Sequence, residues 1–363
     1  MTENVRVFDP HFLITRIGEM AIQLGNFVRM QQMGWMEPMT GVVLAPVQHV
    51  ANSYLLDYFA RWVTVERNDC SDRYPPYDAT RITLPNGLVV PHDRANVAIS
   101  KVWEEQGRGP LLQLHDEHRE AGENALLRLG LPTGAWFVVL HVREQGYVEA
   151  QGHMADDHND SRNADIETYR DAAKAIVDAG GWVIRLGDEK MTPLSADMNM
   201  DGVVDYAHQP LRNEWMDVYL MGAARFMIGT TSGPAAVSPA FGVPVIMTNG
   251  VPFFERPVTS RDLYICKRHL DADGQPIRFD DLMRPPHLSY EEPPPTTVVD
   301  NTAEEILAVT REMLGRLDGT VAYSDEDETL QAIITGLSDE FESYGVASRM
   351  GRDFLSNNKD LLS

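Results

Sequence analysis

The chain has 363 residues, more than one ordinary core holds and enough for two α/β domains, and its 43% apolar content is that of a globular protein. A net charge of −23 excludes nucleic acid as a partner, because binding a phosphate backbone requires a basic face. Two cysteines, Cys70 and Cys266, provide neither a disulfide framework nor a metal cluster. No apolar run reaches the roughly 18 residues of a membrane span. The opening MTENVRVFDP reads as neither signal nor transit peptide, so a cytoplasmic protein is expected.

In chain order, Val5 to Thr15 contains the first expected strand, placed at Phe12 to Thr15. Arg16-Ile17-Gly18-Glu19 then leads into a helix from Met20 to Met33, in which Met20, Leu24, Phe27, Val28 and Gln31 fall at helical spacing. Gly18 at this junction allows a backbone geometry that other residues resist. Gly41 to Leu44 is a second strand, Ala51 to Phe59 a helix and Trp62 to Glu66 a third strand. This alternation predicts a parallel sheet with helices on its faces. Cys70 to Asn96, rich in Asp, Arg, Tyr and Pro, reads as irregular, and Leu111 to Leu129 as a helix. Leu131-Pro132-Thr133-Gly134 breaks the pattern, so the first domain is placed at 1–130.

A second α/β series follows. Trp136 to Val142 is an apolar strand, and 145–163 a long polar loop holding His153, Asp156, Asp157, His158 and Asp160. Asp165 to Ala179 is a helix stopped by Gly180-Gly181, and Trp182 to Leu186 and Val203 to Tyr206 are strands. Glu214 to Ala223 is a helix. Arg225 to Ile228, the loop Gly229 to Gly233, a short helix to Phe241 and the strand Val243 to Met247 then form a βαβ crossover. Pro234 suits a first helical turn. Leu263 to Lys267 is an additional strand. The helix Ala303 to Leu317 is expected to be capped by Asn301, with Glu304 completing a capping box. The second domain is placed at 131–320, and 321–363 is read as two further helices crossing back onto the first domain.

The candidate site lies where strands of the second series end. Thr230, Thr231, Ser232 and Gly233 form a small polar loop at a helix N-terminus, which favours an anion, although a plain βα turn has the same composition. His141 and Arg143, two apart, share one strand face, and the Arg fork matches phosphate. A satisfied core His and a salt-bridged Arg fit the same pattern. Arg185-Leu186-Gly187-Asp188 repeats the arrangement: Gly187 permits close backbone approach and Asp188 accepts from a ribose or base, or the segment is a simple turn. With Asp205, these positions converge on the carboxyl ends of one sheet, where open α/β sheets bind ligands. Glu19 is either a general base or an ordinary first-turn acid, and Asp156 and Asp157 compete with it for the base role. The spacing of the His/Asp loop matches no tight metal-ligand set, so no metal and no cofactor is expected.

HVRE after an apolar strand, RNADIETYRDAAKAIVDAGGWVIRLGD, DYA and MDVYLMGAARFMIGTTSGPAAVSPAFGVPVIMTN together resemble bacterial glycosyltransferases of the GT-B type. The resemblance is fullest over Trp136 to Pro252, and RIGEM is similar to the strand–Gly–helix start of such enzymes. His141-Val142-Arg143 also resembles the His-x-Arg of fucosyltransferase-like folds, whose Arg contacts the donor pyrophosphate. The resemblance implies an α/β fold of two Rossmann-like domains facing a cleft, GT-B-like. A nucleotide-sugar donor would lie in the C-terminal domain and a carbohydrate or other hydroxyl acceptor in the N-terminal one, with no bound metal. A nucleotide-sugar epimerase, or a non-catalytic nucleotide- or carbohydrate-binding protein, are the alternatives on the same fold.

Overall fold

A computed structural model of the protein describes residues 4–8, 13–46, 50–68, 81–83, 87, 89–91, 95–144, 160–287, 296–337 and 345–362. Strand β1 (Val5–Phe8) is followed by a short helix α1 (Ile17–Glu19), a π-helical stretch Met20–Leu24 and helix α2 (Gly25–Met33). Next come β2 (Thr40–Leu44), α3 (Ser53–Phe59) and β3 (Val63–Glu66). These strands form a parallel three-stranded sheet in the order β1-β2-β3. The first strand lies earlier than expected. Leu13 and Ile14 are buried like strand residues, but the chain turns there towards α1, and Val5 to Phe8 take the register opposite Thr40 to Val43. Both runs are apolar, and only the long-range pairing chooses between them.

Two short strands, β4 (Arg81–Thr83) and β5 (Val89–Pro91), form an antiparallel ribbon. Helix α4 (Asn96–Glu105) follows and was not foreseen; it buries Ile99, Ser100 and Trp103. Helix α5 (Asp116–Arg128) starts five residues later than predicted, with its first-turn acids Asp116 and Glu117 favourably placed on the helix dipole.

The second sheet uses β6 (Phe137–His141), β7 (Trp182–Arg185), β8 (Val203–Asp205), β9 (Phe226–Gly229), β10 (Val245–Gly250) and β11 (Leu263–Cys266). Helix α6 (Arg170–Asp178) links β6 to β7, α7 (Glu214–Ala223) links β8 to β9, and α8 (Gly233–Val237) follows β9. A small ribbon pairs β12 (Arg268–Leu270) with β13 (Thr297–Val299), and α9 (Phe279–Leu282) lies between them in sequence. Helices α10 (Ala303–Leu317) and α11 (Asp325–Thr335), strand β14 (Arg349–Met350) and α12 (Arg352–Asn357) complete the fold. The seven parallel strands run β14-β11-β10-β9-β6-β7-β8. Val138 and Val139 on β6 and Val183 and Ile184 on β7 are all fully enclosed, as expected of a sheet covered on both faces.

The cap of α10 is Thr302, in a full capping box with Glu305, instead of Asn301 with Glu304. Asn301 is drawn away: its backbone N–H and side-chain oxygen pair reciprocally with Asn249, and its amide donates to Cys266 O at 2.8 Å. The C-terminal segment supplies a strand as well as two helices, since Arg349 and Met350 pair with Leu263 and Tyr264. Its chain returns to the first unit near Gly345, where an added Cβ would lie 3.1 Å from Lys101 Nζ. One continuous buried core runs through both sheets, from Phe8 and Phe27 to Ile246 and Phe354.

Candidate functional site

Strand order in the large sheet reverses between β6 and β9. Their connections leave in opposite directions, and such a switch point is where an open α/β sheet forms a ligand crevice. His141 pairs with Gly229, and Thr230 N–H donates to His141 O at 3.2 Å, so the two loops begin side by side.

Thr230 and Thr231 are buried, at 0% and 1% exposure. Thr230 Oγ1 accepts from Arg143 N–H at 3.1 Å, and Thr231 Oγ1 accepts from Val251 N–H at 3.2 Å. These hydroxyls stitch together the loops that leave β6, β9 and β10. Ser232 differs: its Oγ is buried and has no hydrogen-bond partner among the described residues. It stands at the N-cap of α8, and Pro234 occupies the first turn as expected.

Gly233 meets the first unit directly. A Cβ on Gly18 would lie 2.8 Å from Gly233 Cα, and a Cβ on Gly233 would lie 3.1 Å from Gly18 N and 2.8 Å from Ile17 Cγ2. Real Cβ atoms do not tolerate 2.8 Å against backbone, so Gly18 is required by the main chain of Gly233, while a side chain at Gly233 would press on Ile17 and, less severely, on the main chain of Gly18. The two sheets thus meet carboxyl end to carboxyl end. A second bridge supports this: Asn52, the N-cap of α3, donates to Glu214 O at 2.9 Å, and Ser53 N–H donates to Glu214 Oε2 at 2.9 Å. Glu19, one residue beyond Gly18, is half-buried, and its Oε2 accepts from Gln23 Nε2 at 2.9 Å.

The structure turns Arg185 into the interior. Its guanidinium, 0% exposed, donates to Asp205 Oδ1 and Glu144 Oε1 at 2.9 Å each and to Thr192 O at 3.0 Å. Asp205 also accepts from Leu194 N–H at 3.1 Å and lies 3.0 Å from His208 Nδ1, while Glu144 Oε2 accepts from Thr192 N–H. Arg185, Asp205 and Glu144 are therefore engaged with one another and with the loop after β7. Gly187 is close-packed for an internal reason, because its Cβ would lie 2.3 Å from Met191 Sδ. Asp188 is half-buried, and its Oδ1 accepts from Lys190 N–H, closing a turn. His141 Nδ1–H donates to Leu186 O at 3.1 Å, which fixes the tautomer and leaves Nε2 as an acceptor. Burial, and then the neighbouring Arg185 and Arg143 guanidinia, hold this imidazole below its ordinary pKa, so it is neutral at pH 7.

Asp156 and Asp157, like His153, lie outside the described residues, but both ends of their loop are visible. Ala164 N–H donates to Arg143 O at 3.0 Å, and Lys267 Nζ donates to Asn163 O at 2.6 Å. Arg162, which the sequence reading passed over, donates from Nε to Thr231 O at 3.1 Å. Nothing local marks it, since an arginine shortly before a helix cap is commonplace. Arg256, after β10, was missed for the same reason. It lies 4.6 Å over the Phe253 ring with Nη1 towards Ile334 O, away from the switch-point loops in its contacts. The Cys266 thiol is buried, and burial pushes it up to about 12, which removes it as a nucleophile at neutral pH.

No protein-family model and no curated protein matches the chain. Among solved structures it is similar to the E. coli ADP-heptose lipopolysaccharide heptosyltransferase II, at 14% identity and TM-score 0.49, covering 86% of this chain and 98% of that one. It is similar to a glycosyl transferase of family 9 from Veillonella parvula, at 13% identity and TM-score 0.38, covering 85% and 81%. A third is the iron-containing dodecameric glycosyltransferase TibC from enterotoxigenic E. coli, at 12% identity and TM-score 0.44, covering 88% and 77%. At these identities and TM-scores the likenesses leave function to be argued from the site.

Proposed function

We propose that the protein is a glycosyltransferase that moves a sugar from a nucleotide-sugar donor to an acceptor hydroxyl. The observation that carries this reading is the backbone contact of Gly18 with Gly233. It puts Glu19, from one unit, beside the switch-point loops of the other. Transfer needs two things near the anomeric carbon: positive charge for the departing diphosphate and a proton acceptor for the attacking hydroxyl. In this reading Arg143, with Ser232 and the backbone of Gly233, lies on the diphosphate side, and Thr230 and Thr231 hold the loops that carry them. Glu19 takes the proton from the acceptor O–H. The acceptor oxygen forms its bond to the anomeric carbon, the bond from that carbon to the phosphate oxygen breaks, and the nucleoside diphosphate leaves with the electron pair. Asp188 is placed nearer the nucleoside, and neutral His141 offers an acceptor at Nε2. Arg185 and Asp205 serve from behind, by bracing the ends of β7 and β8. Among the described residues no helix is long and apolar enough to cross a membrane, and a cytoplasmic location is part of the proposal.

The test is a thermal-shift screen against GDP-, UDP-, ADP-, CMP- and dTDP-sugars, because a ligand of the native state raises its stability. The expected result is one responsive base, followed by transfer or slow donor hydrolysis. Conversion of the donor sugar without any acceptor would point to an epimerase, and binding without chemistry to a binding protein. Arg143→Ala is expected to weaken donor binding by about 1.5–3 kcal/mol, the scale of a charged hydrogen bond. Unchanged affinity by titration calorimetry would remove Arg143 from the diphosphate. The proposed chemistry is metal-independent, and among the described residues no three His, Cys, Asp or Glu side chains converge on one point. Exhaustive EDTA treatment is expected to leave transfer intact, and loss that Mg²⁺ or Mn²⁺ restores would overturn this part of the proposal.

A further inference from the structure

We infer that Arg162 is a second arginine for the donor diphosphate, built into the crevice by the return of the loop that leaves β6. This rests on the glycosyltransferase reading above. Among the described residues Arg162 makes one hydrogen bond, from Nε–H to Thr231 O at 3.1 Å, and forms no ion pair. In a chain with 54 acidic residues against 31 basic ones, an arginine without a carboxylate partner among the described residues is a departure from the general pattern. Its two terminal amino groups keep their donors. A guanidinium pinned through Nε has its plane fixed, so Nη1 and Nη2 present a fork of the geometry that phosphate oxygens match. Because the side chain is already held, less rotamer freedom is lost when an anion arrives.

Three further contacts fix where that fork stands. Ala164 N–H on Arg143 O places Arg162 two residues from the chain that carries Arg143. The buried ammonium of Lys267, itself 2.6 Å from Asp300 Oδ1, holds the next carbonyl, Asn163 O, at 2.6 Å. The residue after Thr231 is Ser232, whose buried Oγ lacks a partner among the described residues and is a donor beside the same position. Two arginines and a hydroxyl therefore belong to the loops that meet at the β6–β9 switch point. In this inference Arg143 and Arg162 each serve a different phosphate of the diphosphate, so a monophosphate has less use for Arg162.

The experiment measures binding of ADP, GDP and UDP, and of the monophosphate of whichever base binds, to the full chain and to Arg162→Ala and Arg162→Lys. Titration calorimetry gives the affinities, and thermal midpoints are followed in parallel. Arg162→Ala is expected to lose about tenfold to a hundredfold in diphosphate affinity and much less for the monophosphate. Arg162→Lys, which keeps the charge and loses the fork, is expected to fall between the two. Equal diphosphate affinity in wild type and Arg162→Ala would overturn the inference and leave the glycosyltransferase reading standing. So would equal losses for mono- and diphosphate accompanied by a lowered thermal midpoint, the signature of a loop staple. If the wild-type protein binds none of the three diphosphates, the functional reading fails first and this inference with it. Should Arg162→Ala not fold, the mono- against diphosphate comparison in Arg162→Lys decides by the same criterion.

Discussion

Glu19→Gln is expected to lower the maximal transfer rate by about 10²–10⁴, the usual cost of losing a general base, while nucleotide affinity stays at the wild-type value. The substitution keeps the size of the side chain and an acceptor for the Gln23 amide. In the proposed mechanism, what it removes is the capacity to take the acceptor proton. The split between rate and donor affinity matters, because a residue that shaped the crevice would change both. Rates are to be compared under saturating donor with Asp156→Asn and Asp157→Asn, the competing carboxylates on the loop between β6 and α6. A Glu19→Gln enzyme with near-normal turnover would leave Glu19 as an acid favoured by its helix dipole and move the base to that loop.

Removing Arg185 should unfold the protein more readily instead of weakening its hold on nucleotide. Its cation is wholly enclosed and shared by Asp205 and Glu144, each only 16% exposed at the side chain. Arg185→Ala leaves two carboxylates facing a void with no countercharge, and breaking a buried ion pair from one side costs about 3–5 kcal/mol. Urea denaturation measures this directly. Arg185→Met combined with Glu144→Gln and Asp205→Asn should recover part of the loss, since no uncompensated charge then remains. If Arg185→Ala kept its stability and instead lost diphosphate affinity, the interior brace would be the wrong account and a direct ligand role the right one.

These two expectations show where the sequence was legible. Glu214–Ala223 and Ala303–Leu317 are observed at the predicted bounds, because an amphipathic period and strong stop signals are local properties. The strands of the large sheet were equally readable as short apolar runs. Their carboxyl ends followed from the parallel topology, and so did the neighbourhood of His141, Arg143 and Thr230 to Gly233. What was not legible depends on partners distant in the chain. Phe12 to Thr15 and Val5 to Phe8 are equivalent apolar runs until β2 selects one. Asn301 is as good a cap as Thr302 until Asn249 claims it. Two residues, Arg349 and Met350, are too few to show a period. Arg185 and Arg143 look alike at strand ends, and only the positions of Asp205 and Glu144 turn the first inward. Arg162 carries no local mark at all, since its meaning comes from Thr231, 69 positions further along.

The contact between Gly18 and Gly233 has a consequence for the order in which the molecule acquires its parts. Each sheet is closed by its own strands and helices, whereas the bridges that align the two units join residues 161 and 156 apart, Ser53 with Glu214 and Ser260 with Glu104. Contacts of such separation carry the largest loop-closure cost, and they form only once the intervening chain is arranged. Glycine brings no side chain to grip with, so the Gly18–Gly233 meeting point cannot nucleate anything; it records that docking has been completed. A chain can therefore own both sheets before Glu19 and the switch-point loops are brought together, and the transfer activity proposed above would be the last property to appear on folding and the first to vanish when the halves part.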